Sequence, residues 1–311
     1  MRPGRAFPLR DPSLEVVMPD SMIRAMAGGS RIRAVAAITT QMAEEARRRH
    51  HTFPTATAAL SKALTGGLLL SSVCQKDGGK MTIRIIGGGP IGGIVVDACH
   101  DGTVRGYVAK PETDLPPNAE GQLDVGGAVG SAGFLTVTHD SGRGSRYTGT
   151  VELASGELGD DYTRYLAESV QTPSAVSLGI YLDREGKVEV AGGMIVQLMP
   201  GAGDEIAWRL EQTIQSLPSF TQMIRKYSTP YEILKAALSG FAIEVLMEDI
   251  PVSFSCPCTE ERALWAVSTL GKAEIQSMIE EDGKAEVRCH FCNEEYLFSR
   301  SQLEALLNGV Q

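Results

Sequence analysis

Apolar and polar residues alternate along much of the first two thirds of the chain, a pattern typical of half-buried strands. Residues 30–38 show it clearly, with Ile32 and Ala34 set against Arg31 and Arg33. Further segments with the composition of strands are residues 81–86, 93–99, 103–108, 133–138, 146–153, 174–182 and 188–198. Short turns containing Gly and Asp separate several of these segments. The pattern therefore predicts a large antiparallel sheet.

Helical segments interrupt these strands. One helix begins at Thr39 or Thr40, either of which can cap it. Residues 55–73 are apolar on nearly every face, so we expect a buried helix, and the Gly-Gly pair within it permits close packing. Residues 157–169 form another helix. The predicted fold class is α+β, with a mixed α/β core that ends near residue 202.

The pattern changes to helical spacing between residues 203 and 255. Thr229 and Glu232 form a capping box with Pro230 at the first helical position. The apolar residues that recur at helical spacing are Ile206, Leu210, Ile214, Phe220, Met223, Ile224, Leu234 and Leu238. They predict three amphipathic helices, each too short to persist alone in water. Such helices could form an ordinary subdomain, or a conditional fold whose apolar stripes become available when their support is lost.

Four cysteines near the end of the chain form two close pairs. Cys256 and Cys258 make a C-x-C motif, Cys289 and Cys292 make a C-x-x-C motif, and 30 residues separate the pairs. Four thiolates in this arrangement can surround one tetrahedral metal ion, and an all-sulfur site favours zinc. Three roles stay open on the motif alone: structural zinc, a redox device whose thiolates react with oxidants, and catalytic zinc. His290 is not required as a ligand because four sulfur atoms complete the tetrahedron.

The segment that holds these cysteines has few apolar side chains. Its predicted helices and strands are residues 260–270, 273–281, 285–288, 295–298 and 303–307. Metal binding worth about 10–16 kcal/mol would therefore supply most of its folding free energy. We expect loss of the metal to unfold the segment.

Composition narrows the classes of function. The net charge of −9 argues against a general nucleic-acid-binding protein and favours a soluble cytoplasmic one. No uninterrupted apolar run reaches the length of a membrane span. Six cysteines in 311 residues, four with metal-like spacing, suit a reducing compartment better than a disulfide framework.

Other candidate motifs favour structural roles. Gly87, Gly89 and Gly92 match G-x-G-x-x-G after a strand, but another strand follows, so we interpret the run as a tight turn and not a nucleotide site. Cys74 and Cys99 are interpreted as packing residues. The sequence has no Ser/His/Asp spacing, phosphate loop or H-E-x-x-H motif, and no enzymatic activity is predicted.

From about Asp20 onward the chain resembles the redox-regulated heat-shock chaperones known as the 33-kDa chaperonin family. The C-x-C and C-x-x-C pairs, with about 30 residues between them, are that family's signature. Further matching runs are residues 89–98, 101–107, 172–176, 191–193, 197–202 and 280–283. Residues 1–19 depart from the family pattern, and we assign them no role.

We divide the chain into four regions. Residues 1–19 form the extension that lies outside the resemblance. The resemblance implies that residues 20–202 form a substrate-binding α+β core, residues 203–255 a helical redox-sensitive linker, and residues 256–311 a small zinc-binding switch. It also implies an ATP-independent holdase of the cytoplasm that keeps unfolding client proteins from aggregating.

The resemblance implies a mechanism as well. Cys256, Cys258, Cys289 and Cys292 bind one zinc ion in the reduced, inactive form. Oxidation then forms the disulfides Cys256–Cys258 and Cys289–Cys292, zinc is released and the C-terminal region unfolds. We expect the stripes of the linker helices then to contact clients, with a homodimer as the active form.

Rival functions differ in their requirements. A nucleic-acid-binding zinc ribbon would need interleaved aromatic and basic residues near the cysteines, which the sequence lacks. A zinc hydrolase would need an open coordination position, which four sulfur ligands do not leave. A protein with an inert structural zinc site would release its metal under oxidation without gaining activity.

Overall fold

The computed structural model describes residues 19–75, 79–142 and 144–309. The predicted N-terminal extension, apart from its last residue, lies outside these ranges. The strands are β1 Ser21–Ala27, β2 Ile32–Ile38, β3 Lys80–Ile86, β4 Ile94–Cys99, β5 Thr103–Val108, β6 Phe134–Asp140, β7 Arg146–Glu152, β8 Ser174–Leu182, β9 Val188–Leu198, β10 Ile243–Pro251, β11 Ser253–Phe254, β12 Lys284–Arg288 and β13 Glu295–Ser299. The helices are α1 Thr40–His50, α2 Pro54–Cys74, α3 Val125–Val129, α4 Leu158–Glu168, α5 Asp204–Gln215, α6 Phe220–Lys226, α7 Pro230–Ala237, α8 Glu260–Ser268, α9 Lys272–Glu281 and α10 Arg300–Gly309.

Two large sheets form the body of the molecule. The first has the strand order β10-β1-β2-β9-β8 and the second the order β11-β5-β4-β3-β6-β7. Neighbouring strands are antiparallel except for the short pair β11–β5, which is parallel. A separate hairpin, β12–β13, belongs to the C-terminal region. The predicted α+β class with a large antiparallel sheet is confirmed.

Helix α2 lies between the two sheets and contributes to the main core. A side chain at position 66 would collide with the ring of Tyr162, and one at position 67 would lie 2.9 Å from Val96. Glycine at both positions therefore permits the close packing that the sequence predicts. By length and composition this helix could cross a membrane, but 89% of its most apolar window is buried inside the protein.

Helices α5, α6 and α7 cover the outer face of the first sheet. They form a second core with apolar residues of β1, β2 and β9. Of the predicted stripe, Ile206 and Ile214 are partly buried against this core. The buried members are Leu210, Phe220, Met223, Ile224, Leu234 and Leu238. The predicted capping box is present, since Thr229 and Glu232 exchange hydrogen bonds at the start of α7.

Four elements were not predicted: β1, α3, β10 and β11. β1 has apolar residues on both faces, Met22 and Met26 on one and Ile23 and Ala25 on the other, and so its sequence lacks the alternation that marks a half-buried strand. β10 is exposed over most of its length, and it follows α7 within the segment read as a helical linker. After it, β11 reaches the second sheet. The last part of residues 203–255 is thus built into both sheets.

The glycine-rich run at residues 87–93 connects β3 to its antiparallel neighbour β4. Gly88 and Gly92 have φ values of 78° and 77°, which favour glycine. The N–H of Gly89 donates to the carbonyl of Val129 at 2.9 Å, so the run packs against another backbone segment. The interpretation as a tight turn is confirmed.

The C-terminal region has a small core of its own. Helix α8 begins after Thr259, whose side chain accepts a hydrogen bond from the N–H of Arg262, as predicted. The buried apolar residues of this core are Ala263, Val267, Ile275, Ile279, Ala285, Phe298 and Leu303. This thin core agrees with the sequence-based expectation.

Candidate metal centre

Two short turns position the four cysteines. Cys256 and Cys258 follow β11, and Thr259 then begins α8. Cys289 and Cys292 lie in the turn between β12 and β13. In that turn the N–H of Cys289 donates to the carbonyl of Glu294 at 2.9 Å, and the N–H of residue 293 donates to the carbonyl of Cys289 at 2.7 Å. These bonds fix a tight knuckle that points both sulfur atoms at the first pair.

All four sulfur atoms lie within 4.8 Å of one another. The Sγ atoms of Cys256 and Cys289 are 3.8 Å apart, and those of Cys258 and Cys292 are 3.2 Å apart. Tetrahedral coordination with Zn–S bonds of about 2.3 Å places ligand sulfur atoms about 3.8 Å apart. The four residues therefore fit one tetrahedral metal ion, and their all-sulfur chemistry is compatible with zinc. His290 lies outside this set of four.

The surroundings of the thiols differ. Burial raises the pKa of the Cys289 and Cys292 thiols above the ordinary value. Burial also acts to raise the pKa of Cys256, but hydrogen bonds from Arg105 and from the backbone of Cys258 outweigh it, so the net shift is downward. The hydroxyl of Tyr296 donates to Sγ of Cys258 at 3.2 Å. A bound cation would be needed to hold the second pair as thiolates.

Arg105 joins the centre to the second sheet. From β5, its Nη1 donates to Sγ of Cys256 at 3.2 Å, while its Nη2 donates to Asp97 at 2.8 Å. Its guanidinium also lies over the ring of Phe291, 4.1 Å from the centroid. Asp97 is buried and accepts further bonds from Lys80 and Thr82. One side chain of the core therefore contacts both cysteine motifs.

The end of α1 provides a second contact. Nδ2 of Asn293 donates to the carbonyl of Arg49 at 2.7 Å, and Arg49 forms an ion pair with Glu294 at 3.0 Å. Nε2 of His50 donates to the carbonyl of Phe291 at 3.2 Å. The C-x-x-C knuckle is thus held on the core by backbone and side-chain groups together.

Sequence reasoning missed these docking residues. His50 has no visible partner in sequence, because the chain position it contacts is 241 residues away. Arg105 falls within a run that resembles the chaperone family, but nothing in the run indicates what the side chain contacts.

Cys74, at the end of α2, lies far from the centre in sequence, and burial raises the pKa of its thiol to about 11. Its predicted role in packing agrees with this surrounding.

A family model for Hsp33 protein matches residues 20–299. The chain belongs to the Hsp33 family. Among its Hsp33-family relatives, the 33 kDa chaperonin of Bacillus subtilis is 48% identical over 92% of this chain and 98% of the relative. The 33 kDa chaperonin of Gloeothece citriformis is 47% identical over 94% of this chain and 99% of the relative.

The fold agrees with that of a solved Hsp33 structure. The crystal structure of the 33 kDa chaperonin of Thermotoga maritima matches with a TM-score of 0.83 and 34% identity, over 93% of this chain and 98% of the other. This Hsp33-family protein is accordingly a chaperone, and the family resemblance predicted from the sequence is confirmed. Chaperones of this kind bind unfolded proteins, and the four clustered cysteines suit zinc binding and redox regulation.

Proposed function

We propose that this protein is an ATP-independent holdase that oxidation activates. In the reduced form Cys256, Cys258, Cys289 and Cys292 hold one zinc ion, which keeps the sulfur atoms as thiolates. The observation that carries the proposal is the approach of both cysteine motifs to within 4.8 Å. Oxidants attack thiolates, so the residues that hold the metal are also the residues that would respond to peroxide.

Oxidation would form the disulfides Cys256–Cys258 and Cys289–Cys292. When each disulfide forms, two thiolates lose two electrons to the oxidant and cease to be metal ligands, so the two disulfides together abolish metal binding. The pairing is itself a proposal. All four sulfur atoms lie within 4.8 Å of one another, so small movements bring any pair to bonding distance.

Residues 256–311 would then unfold. Their small core, which centres on Ile275 and Phe298, buries few side chains. Such a core is too small to offset the conformational entropy of the region without the free energy of metal binding. The contacts of the cysteine motifs with Arg105 and Arg49 would be lost in the same step.

Loss of this region would loosen residues 203–255. The apolar stripes of α5, α6 and α7 are now covered by the first sheet. Partial separation of these helices from the sheet would expose apolar surface to unfolding clients. The proposed client-binding residues are Ile206, Leu210, Ile214, Phe220, Met223, Ile224, Leu234 and Leu238.

The remaining parts of the proposal rest on family membership. We propose that the active form is a homodimer, that it works in the cytoplasm, that it catalyses no reaction, and that residues 20–202 are the core to which the switch is attached. Family membership also favours a chaperone over the alternative, a nucleic-acid-binding zinc ribbon.

The test follows zinc, thiols and client binding together during peroxide treatment. We expect about one zinc ion per chain in the reduced protein, as one tetrahedral site requires. Release of that zinc should parallel the loss of four thiols and the gain of ability to suppress aggregation of a heat-denatured client. Cys289→Ser should abolish the joint release of zinc and gain of client binding on oxidation. Cys99→Ser, whose cysteine lies outside the centre, should retain both. Equal activity of the reduced and oxidised forms would refute the switch.

A further inference from the structure

Strand β10 is one of the two edge strands of the first sheet, and most of its residues are exposed. Val245, Leu246 and Met247 are 37%, 54% and 49% exposed, so both faces of the strand meet solvent. By contrast, Ile250 near its end is buried. Apolar burial therefore contributes little to holding the middle of β10 in place, and its attachment depends on the hydrogen-bond ladder with β1.

That ladder is irregular. The register shifts between the pairs Met22–Ile250 and Arg24–Met247, and shifts again before the next pair, Ala25–Val245. At each shift β10 has one residue more than β1, as in a β-bulge. Asp249, within the first shift, has a φ of 53°, a conformation that non-glycine residues seldom adopt. Both features weaken the pairing of β10.

The neighbouring strand β1 differs from β10 in that most of its apolar side chains are buried. Met22, Ile23, Ala25 and Ala27 are buried, and β1 is fully paired with β2 on its other side. Removal of β10 would leave a rigid strand with a row of free backbone N–H and C=O groups beside apolar side chains. Such an edge is a template for the addition of another strand.

We propose that the β1 edge is a client-binding site, which an extended apolar segment of an unfolding protein occupies after β10 has left it. This inference rests on the proposed function, because β10 is released only when the region beyond Cys256 unfolds. The connection is short: β11 pairs through Ser253 and Phe254 with β5, and only Ser255 separates it from Cys256.

The strand that now occupies the edge indicates the chemistry of the ligand. β10 is extended, rich in β-branched and other apolar residues, and its acidic Glu244 and Glu248 point to solvent. Arg24 lies at the weakened part of the ladder and donates to Ser72 and His100. Apolar or acidic segments with β propensity should therefore bind better than basic ones, whose charges would face this guanidinium.

A disulfide tether between β1 and β10 tests the proposal. Met26 and Glu244 are register partners with partly or fully exposed side chains, so Met26→Cys with Glu244→Cys should link the strands. The matched control is Thr138→Cys with Thr148→Cys, which would link an exposed pair on β6 and β7 whose hydroxyls are 3.0 Å apart. Mass spectrometry verifies both links, and zinc release is measured in each variant. Binding is measured by fluorescence anisotropy with labelled, carboxymethylated α-lactalbumin, which stays unfolded.

After peroxide treatment we expect the variant tethered at β10 to release zinc but to bind the client at least about tenfold more weakly than the wild type. The control tether should bind as the wild type does. A tethered variant that releases zinc and binds normally would overturn the β1 inference alone, whereas an oxidised wild type that does not bind would overturn the proposed function.

A peptide of residues 243–251 provides a second measurement on the unmodified protein. It should compete with the client, and a scrambled peptide should not; equal competition by both would also contradict the proposal.

Discussion

Arg105→Met should loosen the attachment of the cysteine centre to the core while leaving all four metal ligands in place. Methionine keeps the length and the apolar stem of the side chain but loses the guanidinium. The hydrogen bond to Cys256, the bond to Asp97 and the stacking on Phe291 would all be lost. Asp97 would retain Lys80 and Thr82 as partners, so the variant should fold.

The size of the effect follows from the burial of these contacts. The Arg105 side chain is 18% exposed, so solvent screens its charge only in part. A hydrogen bond to a charged group contributes about 1.5–3 kcal/mol, and a cation–π contact about 0.5–1 kcal/mol where exposed and about 2 kcal/mol when desolvated. We therefore expect docking of the C-terminal region to weaken by about 2–4 kcal/mol, or about 30- to 1,000-fold.

Hydrogen exchange of residues 256–309 in the reduced, zinc-loaded protein measures this docking. Arg105→Met should exchange faster in the knuckle and should release zinc at a lower peroxide concentration than the wild type. Arg105→Lys should be intermediate, because a single ammonium cannot bond two partners and stack at once. Arg146→Met is the matched control, since Arg146 is 75% exposed on β7. Unchanged exchange and unchanged peroxide sensitivity in Arg105→Met would refute this role for Arg105.

Three further predictions concern the cores and the buried acids and thiols. Phe298→Ala should destabilise the C-terminal region by about 3–5 kcal/mol, which thermal zinc release would detect as loss of the metal at lower temperature. Burial raises the pKa of Asp20 from 3.8 to about 6, so its stabilising contribution is complete below pH 3.8 and is lost as the pH rises through 6. The free energy of unfolding, measured in urea at pH 5 and at pH 7, should therefore change less between the two pH values for Asp20→Asn than for the wild type. An equal change in both proteins would contradict the assignment. Because the pKa of Cys74 is about 11, its thiol should not react with a thiol reagent at pH 8 until denaturant is added, and rapid labelling of Cys74 in the native protein would contradict this.

Local signals predicted most of the elements. Residues 174–182 and 188–198 alternate or run apolar between clear turns, and the structure has β8 and β9 at the same bounds. The capping box at Thr229 predicted the start of α7 in the same way. These features depend on residues within one element, where side-chain periodicity and capping chemistry operate. The four ligand candidates were predictable for a similar reason, since thiolate chemistry and close spacing are visible in the sequence.

Features that depend on distant contacts were not predictable. β10 has no alternation because it is an exposed, bulged edge whose position is fixed by pairing with β1, more than 200 residues earlier. Asn293 donates to the carbonyl of Arg49, and Arg105 to Cys256, across separations of 244 and 151 residues. A sequence contains the groups that form such contacts but does not indicate which groups meet. The docking of the metal centre therefore emerged only from the structure.

The contacts of the metal centre offer a route by which, under the proposed switch, its state would reach the apolar helices. The cysteine motifs are held by β5 and the end of α1, whereas the stripes of α5, α6 and α7 lie on the outer face of the first sheet. Along the chain, β10 and β11 connect the two. Release of the centre would first free the two-residue pairing of β11 with β5 and then the bulged ladder of β10 with β1. Each step loses few buried contacts, so each can follow the previous one at small cost in free energy. The sensitivity of the switch should therefore depend on Arg105 and on the β10 ladder as well as on the affinity of four thiolates for their metal.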